Sequence, residues 1–293
     1  MPTADGHEWL IDGDGGCWRC YLFVPRTVAL EVVGSPAQAY QAGLGFADFI
    51  RLLGDLPGER LHETIPDFHH TRRRFEALLA SERSAKLSVA SQATVELQFF
   101  HDREDDVDHL LDLLQSGRVL ERVSHNDTKV ENLLLDVDSR TALCVTDLDT
   151  SMPGLAAYDY GDLVRTVTSP VAEDHPDPGA VEMQFALFIA LSDGYLEAGR
   201  RFLSEQAAQS LIWGARLMTM EVGLRFLADY LSGDVYFKTT YPEHNLIRAR
   251  TQIALLQSIE RQRPRLEAHV AASFAKDAER QSRQRARDTS NEV

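Results

Sequence analysis

Cysteine, basic residues and long apolar runs are what this chain has least of, and each shortage excludes something. Three cysteines in 293 residues cannot build a disulfide framework. Cys17 and Cys20 form a C-x-x-C, but no second pair completes a zinc site. They fall in an extended stretch rather than at a helix start, where a thiolate would be stabilised, so they read as packing residues on opposite strand faces. No apolar run approaches the roughly 20 residues needed to span a bilayer, and no basic-then-apolar leader is visible at the start, so a cytoplasmic protein without a membrane partner is expected. Lysine and arginine total 30 against 45 acids, a net charge of −15. There is no basic stripe to meet nucleic-acid phosphates, and Arg72-Arg73-Arg74 reads as a solvated helix face. The 44% hydrophobic content is ample for one large domain with a smaller lobe.

What is present is a short polar loop of unusual density, His125-Asn126-Asp127-Thr128-Lys129-Val130-Glu131-Asn132, with Thr146-Asp147-Leu148-Asp149 following two apolar runs. An aspartate, a lysine two residues on and an asparagine five residues on is the spacing of a kinase catalytic loop. Phosphoryl transfer needs a base near the acceptor hydroxyl, cations on the phosphates and fixed geometry. Asp127 suits the base, and Lys129 suits a point charge beside the transferred group. Asn132 and Asp147 offer hard oxygen ligands for Mg²⁺. His125 suits a prop for the loop backbone. The runs 133–136 and 142–145, joined by Val137-Asp138-Ser139-Arg140, predict a β-hairpin that brings Asn132 and Asp147 to one end. Asp149 lies two residues beyond Asp147, so on a strand it shares a face with it. It is either a further metal ligand or a solvent-facing partner. Asp159 and Asp162 are expected to cap the next helix and brace the loop, and Gly161 between them to serve backbone conformation.

Elsewhere, 8–11 and 17–24 read as strands of a hairpin around Asp12-Gly13-Asp14-Gly15-Gly16. The glycines do not make a phosphate loop, because no helix follows. Helices are predicted over 36–53, 71–80, 91–117, 159–167, 181–199, 204–232 and 243–262, with a proline- and acid-rich loop over 168–179. The charged tail over 276–293 has no apolar period and reads as disordered. His69-His70 could bind a metal, but no third ligand is evident. Glu221, Arg225 and Asp229 are spaced by four and stack on one helix face, either as an ion-paired stripe or as a polar pocket wall.

At these residues the chain resembles the aminoglycoside phosphotransferase and choline kinase superfamily. The stretches 125–129 and 147–154, with 220–231, Tyr236-Phe237 and 241–246, are similar to the N-acetylhexosamine 1-kinase family, and the resemblance runs from about Trp9 to about Glu260. It implies an α+β, protein-kinase-like two-lobe fold. Residues 1–24 would be a remnant of the nucleotide-binding lobe, and 25–275 a large, mainly helical lobe with catalytic loop and substrate pocket. It implies ATP as donor, Mg²⁺ as cofactor, and phosphorylation of the anomeric hydroxyl of a small-molecule sugar. Arg225, Tyr236 and Glu221 then become substrate-binding candidates, and Val24, where the strand ends before Pro25, the hinge contact to adenine. The chain departs from the family in showing no glycine-rich strand–loop–strand ahead of Trp9, so the N-terminal lobe is expected to be truncated. Two other readings therefore stay open: a kinase for an aminoglycoside, choline or an amino sugar, or an inactive fragment or binding protein.

Overall fold

The computed structural model describes residues 1–290, with side chains through residue 275; the disordered tail expected over 276–293 lies outside the residues described with their side chains. The α+β class is as expected, with small sheets set against a large helical body. β1 (Leu10–Ile11) and β2 (Cys17–Trp18) form an antiparallel hairpin. β3 (Thr27–Val28), β5 (Leu133–Asp136) and β6 (Ala142–Val145) form a second antiparallel sheet. β4 (Arg122–Ser124) pairs with β7 (Met152–Gly154). The helices are α1 (Pro36–Leu52), α2 (Thr71–Ser84), α3 (Leu87–Ala90), α4 (Thr94–His101), α5 (His109–Gln115), α6 (Ala156–Thr168), α7 (Phe185–Gly199), α8 (Glu205–Ser232) and α9 (His244–Ser290). Among the described residues no helix is long and apolar enough to cross a membrane.

Local chemistry fixes several boundaries. Ser35 caps α1 by accepting from the Gln38 amide, with Pro36 at the first helical position. Ser204 caps α8 in the same way, and Gly233, at φ +92°, ends it in the left-handed region. The β5–β6 turn is built by Asp136, whose carboxylate accepts from the amides of Asp138 and Ser139, the Asx geometry typical of such turns. Leu133 and Leu135 alternate inward from β5 and are fully buried.

Four expectations change. The helix predicted over 91–117 is broken into α4, a 3-10 turn over Glu104–Asp106, and α5. Five acids lie between 102 and 108, and arginines from other elements draw them apart. Arg72 binds Glu104 and Asp108, while Arg216 binds Asp106. The helix expected to end at 262 continues through Pro264, because Leu266 and Val270 still bury against the core. The strand expected to reach residue 24 stops at Trp18. Beyond it Leu22 and Phe23 are 77% and 87% exposed, and no neighbouring strand takes their backbone groups. Cys17 and Cys20 are exposed too, contrary to their reading as packing residues.

Two apolar clusters make up the interior. One surrounds Phe46, Tyr160, Phe188 and Tyr195; the other surrounds Phe75, Phe100, Leu224 and Leu227. Helix α6 contributes to both, with Tyr160, Leu163 and Val164 in the first and Ala157 and Tyr158 in the second. All its residues except Thr166 are buried, as for a helix enclosed by its neighbours. It reaches that position through backbone contact with α8. A Cβ on Gly161 would meet the Gly214 carbonyl oxygen at 2.2 Å, and one on Gly214 would meet that of Ala157 at 1.9 Å. Gly161 thus serves helix packing and not, as expected, an unusual backbone conformation.

This contact predicts that Gly214→Ala forces α6 and α8 apart at a cost of at least about 2 kcal/mol, within the range for overpacked cores. Gly13→Ala, with nothing within 4 Å of its Cβ, should stay within about 0.5 kcal/mol of the parent. Urea unfolding of the two variants makes the comparison.

Candidate functional site

The loop from Ser124 to Asn132 leaves β4 and is held from beneath by α6. Both oxygens of Asp159 accept backbone amides, from His125 and from Asn126, each at 2.8 Å. The Thr128 hydroxyl donates to the Asp159 carbonyl at 2.8 Å. Burial pushes the Asp159 carboxyl above its ordinary value, against these amide bonds and against His125 and His69. One turn on, Asp162 is buried against Arg165; burial opposes its ionised form, but the guanidinium prevails and holds it below the usual carboxylate range. The bracing expected of Asp159 is present. The capping is not, because both aspartates lie inside α6, which starts after Leu155 with no side-chain cap.

His125 is fully buried. Its Nδ1 accepts from the Asp127 amide at 3.2 Å, so the proton sits on Nε2, which donates to the Thr146 carbonyl at 2.9 Å. It is the prop that the sequence suggested. Asn126 takes a left-handed conformation, φ +64°, and its amide donates to the carbonyls of Ser124, Thr150 and Met152. The turn is therefore fastened to β4 and to the start of β7.

Asp127 and Lys129 come together, with Nζ 3.5 Å from Oδ1. Asn132 Nδ2 donates to the Asp127 carbonyl at 2.9 Å, which orients the side chain and leaves its oxygen uncommitted among the described residues. The Thr146 amide donates to the Asn132 carbonyl at 2.8 Å, so the hairpin delivers Asp147 beside Asn132. Asp147 is exposed, in the left-handed region at φ +58°. Asn132 and Asp147 are hard oxygen donors that fit Mg²⁺, an ion that usually takes one or two protein carboxylates and fills its shell with water and phosphate. Asp149 differs from them. Leu148–Thr150 is a 3-10 turn, so the shared strand face expected for Asp147 and Asp149 does not exist, and Asp149 is ion-paired with Arg19. No group of three or more His, Cys, Asp or Glu suited to a metal forms among the described residues.

Val24 lies just ahead of β3, and its carbonyl accepts from the Thr27 hydroxyl at 2.9 Å. The α8 stripe separates into three roles. Glu221 is fully buried and bound to His69 and Thr71. Arg225 is half-buried among Phe68, Tyr236 and Phe237, with ring centroids 5.9, 5.8 and 5.3 Å from its guanidinium carbon. Asp229 accepts from the amides of Val235, Tyr236 and Phe237 and from Asn245, so it shapes the loop that carries the two rings. Arg225, Arg74, Pro66 and these rings line a cavity of about 380 Å³. Sequence reasoning treated His69-His70 as a possible metal pair. Instead His70 caps α2 by accepting from the Arg73 amide, while His69 ties Glu221 to the Asn126 carbonyl. The available signal was Glu221, a lone acid in an apolar helical stretch and hence in need of a buried partner.

Residues 3–186 match the model of the APH phosphotransferase enzyme family. The chain belongs to that family. Among solved structures it is similar to an ethanolamine kinase from Plasmodium vivax, with 13% identity, a TM-score of 0.47, and 77% of this chain aligned to 63% of that one. It is also similar to a choline kinase from Cryptosporidium parvum, with 11% identity, a TM-score of 0.45, and coverage of 90% and 76%. The chain thus spans 63% of the ethanolamine kinase's length.

The Asp159 clamp carries a prediction. Asp159→Asn leaves one acceptor oxygen for two buried amides, so the variant should lose about 1–3 kcal/mol, the cost of an unmade buried hydrogen bond. Hydrogen exchange at His125 and Asn126 should accelerate more than at β5; equal protection in both proteins would show that the clamp is dispensable.

Proposed function

We propose that this protein is an ATP-dependent small-molecule kinase that phosphorylates the anomeric hydroxyl of an N-acetylhexosamine. The observation that carries the kinase reading is the Asp127–Lys129 pair and Asn132 on one braced loop, with Asp147 following Thr146, whose amide bonds the Asn132 carbonyl across the hairpin. Asp127 would accept the hydroxyl proton as the acceptor oxygen bonds to the γ-phosphorus and the bond to ADP breaks. Lys129 would lie against the charge on the transferred group. Mg²⁺, held by Asn132 and Asp147, would supply charge neutralisation on the phosphates. Val24 would meet adenine. The sugar reading rests on the sequence resemblance and on Arg225 and Tyr236, which offer a hydrogen-bonding cation and an exposed ring to a sugar face. The same arginine disfavours choline or a polycationic aminoglycoside.

The test is an acceptor panel of N-acetylglucosamine, N-acetylgalactosamine, choline and kanamycin offered to the protein with Mg-ATP, with the product phosphate located by phosphorus NMR. Phosphate on the anomeric oxygen is expected; phosphate on the 6-hydroxyl, or turnover of kanamycin alone, would reject the reading. Asp127→Asn should lower turnover at least about a hundredfold, the lower range for removing a general base.

Asp147→Ala should weaken Mg-ATP binding and leave Mg²⁺-free nucleotide affinity unchanged, as read by titration calorimetry. If both affinities stay at the parent value, Asp147 is structural. Asp149→Ala, which removes only the partner of Arg19, is the control.

A further inference from the structure

His69 sits between two groups that accept hydrogen bonds. Its Nδ1 lies 2.9 Å from Oε1 of Glu221, and its Nε2 lies 2.8 Å from the carbonyl oxygen of Asn126. The second oxygen of Glu221 accepts from the Thr71 hydroxyl at 3.1 Å. A carbonyl has no proton to give, so Nε2 must carry one. The Nδ1–Oε1 contact needs another, placed either on the imidazole or on the carboxyl. We propose that His69 carries both protons, as an imidazolium ion-paired with buried Glu221, and that it is a positioning residue fixing the Asn126 carbonyl and so the turn that presents Asp127.

The surroundings favour the cation. Glu221 faces it from α8, and from α6 the carboxylates of Asp159 and Asp162 act on the same ring. The countercharge of Asp162 is already shared with Arg165. The other neighbours are rings: Phe68, with centroids 4.5 Å apart, and Tyr158 from α6, at 5.3 Å. Burial pushes the imidazole down, but Glu221, the Asn126 carbonyl and Asp162 outweigh it, and the net direction is up. Glu221 is 0% exposed, and a carboxylate in such a place needs a paired cation.

Asn126 is held from three sides. Its amide is held by Asp159 from α6, its side chain by β4 and the start of β7, and its carbonyl by His69 ahead of α2. A left-handed non-glycine residue persists only when its surroundings over-determine it. His69 supplies the one charge-assisted bond to that carbonyl. The sign of the pH dependence follows. A histidine whose folded pKa is raised contributes stability that is complete below its unfolded value, about 6.5, and that is lost as pH rises through the folded value. The loop should therefore loosen on the alkaline side.

The experiment is NMR of the full chain with ¹⁵N-labelled histidine, which needs neither substrate nor activity. His69 is assigned by its absence from the spectrum of His69→Gln or, should that variant fail to fold, by the shift that Glu221→Gln imposes. At pH 7.5 both ring nitrogens of His69 should resonate as protonated, and in Glu221→Gln the ring should become a neutral Nε2–H tautomer. One protonated and one bare nitrogen in the parent protein would overturn the proposal, because the shared proton would then belong to Glu221. For positioning, Glu221→Gln should raise amide exchange at 126–128 about tenfold, the scale of turning a charge-assisted bond into a neutral one, while α7 is unchanged. Unchanged exchange at 126–128 would show that His69 does not position the turn. The kinetic counterpart rests on the kinase reading above. Glu221→Gln should lower kcat about tenfold with the acceptor KM within twofold, and should lose the alkaline limb of the pH profile. Absence of any turnover in the parent would sink the kinase reading while leaving the NMR result to stand or fall on its own.

Discussion

The buried carboxylate of Asp159 is the contact on which the rest of the site depends. Two consecutive amides, at His125 and Asn126, have no strand or helix to bond to once β4 has ended, and both lie in the protein interior. Unmet, each would cost roughly 1–3 kcal/mol. Asp159 satisfies both at 2.8 Å and offers its own carbonyl to Thr128. That carboxylate is well placed only because α6 is. The helix is enclosed by both cores and meets α8 backbone to backbone at Gly161 and Gly214, where even a methyl group does not fit. The rigidity of the loop is thus borrowed from a backbone-to-backbone helix crossing, in keeping with the need to hold reacting groups in fixed geometry.

Helix α8 carries a second set of dependencies along one face. Glu221 reaches the loop through His69, Arg225 stands in the aromatic enclosure, and Asp229 gathers the amides of 235–237. Each is one turn from the next. A single helix therefore fixes the distance between the loop that would carry the chemistry and the cavity that would hold the acceptor. Of these three charges, Asp229 holds backbone amides and Glu221 holds the side chains of His69 and Thr71; Arg225 has no ion pair or hydrogen bond among the described residues. That division separates the stripe from the solvent-facing ion-paired face that its spacing also allowed.

The loop over 125–132 and its hairpin were legible because their constraints are local. The proposed chemistry would bring Asp127, Lys129 and Asn132 to one phosphoryl group, which would account for their spacing, and the turn over 137–140 advertises itself by its composition. The rest was decided at long range. Nothing between 91 and 117 says that Arg72 and Arg216 will pull its acids apart, and nothing at Pro264 says that Leu266 and Val270 will keep the helix against the core. Glu221 and Arg225 look alike on a helical wheel, and only burial tells them apart. His69 was visible as a residue but not as a partner, because its two contacts come from positions 57 and 152 residues away.

The groups at the site divide by whether their hydrogen-bonding capacity is spent. His125, Thr128, Asp159, His69 and Glu221, with the amide groups of Asn126, are occupied by one another, by Thr71 or by backbone. Asp149, level with Asp147 in the sequence, is occupied by Arg19. Asp147, the side-chain oxygen of Asn132, Lys129 apart from its contact with Asp127, and Arg225 have capacity to spare. A folded chain gains nothing in stability from leaving charges and donors uncommitted in a cleft, so such groups are expected where a ligand completes them. The proposed phosphoryl transfer would call on these positions as a lysine, two oxygen ligands and a cation facing an acceptor, with Asp127, whose carboxylate meets Lys129 and the Asn132 amide, as the base. The occupied set contains no residue that the proposed chemistry requires to be free.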